Sequence, residues 1–128
     1  MANAELIKMA KLLQQQEYDQ VLSSELDPTD DWSFLQSKLI QAMAYEKISK
    51  FNEAIECYVY ALEHGDKSPF NRYTINLLIA LCHKSSGNIL AARDCLLRCM
   101  DAASEDIRIE PNRVQSELAT ISAGNGDT

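Results

Sequence analysis

Phe51–Leu62 reads FNEAIECYVYAL. Behind Phe51, Ala54, Tyr58 and Ala61 recur at steps of four and three, so they share one face of a helix. Small, large and small residues on one stripe describe a helix pressed close against a neighbour. That neighbour lies just upstream, where Leu39, Ala42, Met43 and Tyr45 keep helical spacing. Lys47-Ile48-Ser49-Lys50 is a short polar connector between the two runs. Together they predict an antiparallel helical hairpin.

The hairpin recurs along the chain. Tyr18, Phe51 and Ile89 each open the second helix of a pair, at intervals of 33 and 38 residues. Leu6, Leu39 and Leu77 keep the same intervals, and so do Ala10, Met43 and Leu81. One turn further on, Leu13, Glu46 and Lys84 match in the same way. The longer second interval fits a loop at Lys67-Ser68-Pro69.

Working outward, apolar periodicity predicts helices over 3–15 and 17–26, the second stopped at Asp27-Pro28-Thr29. Asp30 or Asp31 caps a helix over 32–48. Its apolar arc, Trp32, Leu35, Leu39, Ala42, Met43 and Tyr45, is wide enough for contacts on more than one side. The central helix ends at His64-Gly65-Asp66, with Gly65 as a left-handed stop. Asn71 is the candidate cap for a helix over 72–84, followed by one over 89–103 and a last one over 112–122. The expected organisation is a single domain over 1–123 with a disordered tail at 124–128.

Ala42, Tyr45, Phe51, Ala54, Tyr58 and Ala61 resemble the signature of the tetratricopeptide repeat, a helix-turn-helix unit of about 34 residues. The match is closer in the second helix than in the first, where Lys38 and Gln41 stand in place of the family's large apolar residues. The resemblance implies an all-α, right-handed stack of three helical hairpins, sealed by a C-terminal capping helix. It also implies that the first helices of the pairs line a concave surface. On that reading Leu6, Ala10, Leu13, Leu39, Met43, Glu46, Leu77 and Leu81 form a partner-binding groove, apolar along its length with a charged rim.

Two arrangements fit these positions. The leucines fill the core of a small stack or are covered by the last helix, or they form a groove for an amphipathic helix of another protein. Some relatives grip a C-terminal carboxylate with Lys, Asn and Arg. This chain has Leu6, Ala10, Ile40, Thr74 and Leu78 at the corresponding places, so that clamp is missing. In size, acidity and architecture the chain is similar to the secretion chaperones of bacterial type III systems. That likeness implies a small chaperone or adaptor. The alternative is a structural subunit of a larger assembly or homo-oligomer.

Composition narrows the classes further. Net charge is −7, and Glu17, Asp19, Glu25, Asp27, Asp30 and Asp31 lie in a stretch without Lys or Arg. Such a surface repels phosphate and argues against nucleic acid. It reads as a solvated face or as a surface for a basic partner. The N-terminus has apolar residues at helical spacing with lysines between them, so neither a targeting signal nor membrane insertion is expected, and the expected location is cytoplasmic. Cys57, Cys82, Cys95 and Cys99 lack CxxC spacing and read as small core residues in a reducing compartment. Across a hairpin turn near residues 86–87, Cys82 faces residue 91 rather than 95 or 99, so one zinc ion cannot join the set. His64 and His83 have no nucleophile and orienting acid at a recognisable spacing. Neither an enzyme nor any metal or cofactor is expected.

Overall fold

The computed structural model describes residues 4–24 and 31–126. Among them the chain is all-helical, without a strand. The elements are α1 (Ala4–Gln14), α2 (Tyr18–Leu22), α3 (Asp31–Lys47), α4 (Phe51–His64), α5 (Pro69–Ser85), α6 (Ile89–Ser104) and α7 (Asn112–Gly126). The chain divides into two compact units, residues 1–65 and 66–128.

The three hairpin turns, α1–α2, α3–α4 and α5–α6, are built alike. Two residues beyond the end of each first helix stands a residue in the left-handed region: Gln16 at φ 65, Ser49 at φ 63 and Gly87 at φ 87. The next residue has nearly the same backbone each time, Glu17 (φ −88, ψ 65), Lys50 (φ −92, ψ 72) and Asn88 (φ −86, ψ 73). Its amide reaches five residues back, from Glu17 to the Leu12 carbonyl (2.9 Å), Lys50 to Tyr45 (2.8 Å) and Asn88 to His83 (2.8 Å). The preceding amide reaches three back, from Gln16 to Leu13, Ser49 to Glu46 and Gly87 to Lys84. This paired bonding is the Schellman termination, which satisfies carbonyls the helix end leaves open. The 33- and 38-residue intervals read from side chains are therefore also intervals of backbone conformation.

In the first unit α3 packs against α1 and α2 as well as against α4. Met9, Val21 and Ala44 form a buried cluster, with Leu12, Leu13, Tyr18, Leu22 and Ile40 packed around it. Ala54, Tyr58 and Ala61 are fully buried, as the small-large-small stripe requires. The second helix is shorter than expected: it stops at Leu22, and the Ser24 hydroxyl donates to the Gln20 carbonyl at 2.8 Å. A serine bonded to nearby backbone in this way competes with helix continuation. The expected stop at Asp27-Pro28-Thr29 lies outside the described residues, as does Asp30. Asp31 is already inside the first turn of α3.

Gly65 does not end α4 in a left-handed conformation; it is extended, at φ −97 and ψ −167. Its small size answers a close approach instead. A Cβ there would stand 2.5 Å from the Ala61 carbonyl oxygen and 3.2 Å from Leu35 Cδ1.

In the second unit α5 packs along α6, and α6 against α7. The cap of α5 is Ser68 rather than Asn71: its hydroxyl accepts from the Asn71 amide at 3.3 Å, with Pro69 opening the helix. Asn71 instead donates its side-chain amide to the Asp66 carbonyl at 2.7 Å. Val114 and Ile121 anchor α7, and Glu117 accepts from Lys84 of α5 at 2.7 Å. The last helix was expected to end at residue 122. It runs to Gly126, so residues 124–126 of the expected tail are helical.

Candidate protein-binding face

None of the eight residues predicted for the groove is buried. Ala10 and Met43 are exposed, while Leu6, Leu13, Leu39, Glu46, Leu77 and Leu81 are half-buried. The buried positions of the same helices are others: Met9 on α1, Ser33, Ser37, Ala42 and Ala44 on α3, and Tyr73, Ile75, Asn76, Ile79, Ala80 and Cys82 on α5. On α3 this has a direct geometric cause. Ala44 turns toward the α1–α2 cluster, and Glu46 turns toward α4, where its carboxylate accepts from the Tyr58 hydroxyl. Met43 lies between those two sides, and Leu39, seven residues before Glu46, shares the side of Glu46.

Two of the predicted positions have a different part. Leu13 packs onto the Met9–Val21–Ala44 cluster, so it belongs to the core edge of α1. Glu46 is not a free rim charge, because it closes the α3–α4 seam through Tyr58. Its repeat equivalent Lys84 is likewise engaged, by Glu117.

The structure adds two residues that sequence reasoning missed. Trp32 is 62% exposed and Phe70 is 68% exposed. Trp32, Gln36, Leu39 and Met43 follow at steps of four, three and four on α3; Phe70, Thr74, Leu77 and Leu81 repeat those steps on α5. Each stripe thus begins with an exposed aromatic ring. The 38-residue interval between Trp32 and Phe70 carried the signal, and counting Trp32 into the apolar arc hid it. Beside Phe70 lies a cleft of about 280 Å³, also lined by Asp106, Arg108 and Ile109.

Lys38 lies over a small group of aromatic rings. Its Nζ lies 5.4 Å from the Phe34 ring centre and 5.7 Å from that of Tyr60. Phe34 and Tyr60 meet edge to face at 5.5 Å, and His64 lies against Tyr60 at 4.3 Å. A lysine can cover such rings with its stem and place its charge over their faces.

Two arginines of the second unit are tied into ion pairs. Arg72 holds the Glu105 carboxylate by two bonds of 2.8 and 2.9 Å and keeps its pKa below the usual carboxylate range. Arg108 does the same for Asp106, whose pKa is lowered to about 2. All four thiols are buried. Burial raises the pKa of Cys57 and Cys95 and pushes Cys99 to about 12. The Cys99 thiol donates to the Tyr73 carbonyl at 3.4 Å. Among the described residues no three His, Cys, Asp or Glu side chains are grouped as metal ligands, and no helix is long and apolar enough to cross a membrane.

No protein-family model, curated protein or solved structure matches this chain.

Proposed function

We propose that the chain is a tetratricopeptide-like repeat protein that binds another protein without chemistry, as a small chaperone or adaptor. Its ligand is an apolar or amphipathic helical segment, held against the stripes of the first helices. One observation carries the reading: apolar residues repeat at the same register on α1, α3 and α5 and are left partly exposed, while other faces of those helices supply the core. The identical hairpin turns support the repeat reading. The polar outward residues of α7, Gln115, Ser116 and Thr120, suit a helix that closes a stack.

Aromatic residues and Met, such as Trp32, Phe70 and Met43, are enriched at protein interfaces. Replacing Leu39 and Leu77 together by Asp should abolish partner binding and leave the helical circular dichroism intact. Met43→Asp, at an exposed position, should weaken binding with no change in melting temperature. Unfolding of the double variant together with full binding by Met43→Asp would assign the stripe to the core and refute the proposal.

A further inference from the structure

A second apolar line lies on α6. Leu90 is 71% exposed and Leu97 is 45% exposed, seven residues apart and so on one face. Buried Ala92, Cys95, Leu96, Cys99 and Ala102 occupy the opposite face, which meets α5 through the Cys99–Tyr73 bond. Arg93 and Asp94 are exposed and lie on opposite sides of the Leu90–Leu97 line. Neither takes part in an ion pair found among the described residues. Arg98, on the Asp94 side, points its guanidinium at Cys95 Sγ, 3.9 Å away, rather than at Asp94.

We infer that this face of α6 pairs with α6 of a second copy of the chain, side by side and parallel, about a twofold axis along the helices. Symmetry makes the charge pattern selective. In a parallel twofold pair the left flank of one helix meets the right flank of the other. Leu90 and Leu97 then stack on their own copies, and Arg93 meets the partner's Asp94 on both sides. In an antiparallel twofold pair each flank meets itself, and Arg93 faces Arg93 while Asp94 faces Asp94. Opposite charges on the two flanks of one apolar line therefore favour a second copy in the parallel sense. Asp101 continues the line one turn beyond Leu97, where two carboxylates would meet, so the helices diverge there. Contact over roughly two turns places the dimer among small, transient interfaces.

The test is sedimentation of the intact chain over a concentration series at low and high salt. The wild type should approach dimer mass as concentration rises, less so at high salt. Arg93→Asp alone and Asp94→Arg alone should each weaken association by about tenfold or more, because like charges then meet. The double variant Arg93→Asp with Asp94→Arg restores opposite charges and should restore association. All three variants sit at exposed positions, and circular dichroism checks that they fold. A wild type that stays monomeric, single reversals that associate normally, or a double variant that stays monomeric would each overturn the inference.

Discussion

Gln16, Ser49 and Gly87 do the same work with different side chains. Each lets the chain turn through a left-handed residue. Only Gly87 does so without a Cβ, and an L side chain there costs about 1–2 kcal/mol. Gly87→Ala should therefore destabilise the protein by about 1 kcal/mol, although the added Cβ meets nothing within 4 Å. Ser49→Gly should do the reverse, raising the melting temperature by the equivalent of about 0.5 kcal/mol once the extra freedom of the unfolded glycine is deducted. Thermal denaturation of both variants checks the pair. At the same scale, burial of all four cysteines predicts that a neutral-pH thiol reagent labels the native protein slowly. Labelling should become fast and complete in denaturant. Rapid modification of one native thiol would show an opening that the packing does not contain. The turns were only partly legible in the sequence. Gly87 in Ser85-Ser86-Gly87-Asn88 marks one of them. Gln16 and Ser49 have no intrinsic preference for the left-handed region; tertiary packing of the two helices holds them there.

The helices themselves were legible where spacing was strong. Ala54, Tyr58 and Ala61 identified the buried face of α4 because small residues at steps of three and four allow few other uses. Ala61→Leu should cost about 1–3 kcal/mol by overpacking that seam, measurable by chemical denaturation. Helix ends were less legible. The α2 end depends on Ser24 bonding to Gln20, and the α5 start depends on Ser68 rather than the equally plausible capping residue Asn71. The attachment of α7 combines the buried Val114 and Ile121 with an ion pair between residues far apart in sequence, Lys84 and Glu117. Hydrogen bonding from Lys84 lowers the pKa of the Glu117 carboxyl, against a smaller opposing effect of burial and with further help from Arg113. A carboxyl with a lowered folded pKa adds stability above its unfolded pKa and loses it as the pH falls through the folded value. Amide protection in α7 should accordingly decline below about pH 4, ahead of protection in α6. Protection that falls in both helices together would mean that α7 does not open separately.

At the scale of the whole molecule, the repeat was visible as two intervals shared by side chains, and the backbone turns repeat at those intervals. The candidate face was visible only in part. Leu39, Met43, Leu77 and Leu81 could be placed by register. The bond of Glu46 to Tyr58, twelve residues away on another helix, was not legible in the register. Trp32 was missed because it was counted into the apolar arc of its helix, and Phe70 because its helix was started at residue 72 and not at Pro69. The central claim is that the first-helix stripes hold a partner's apolar helix. Photo-crosslinking residues introduced singly at Trp32, Met43 and Phe70, with Lys11 as an exposed control off those stripes, test it in the cell of origin. The account predicts that the three stripe positions capture one partner through an amphipathic segment and that Lys11 does not. Capture of that partner from Lys11 but from none of the stripe positions would contradict it.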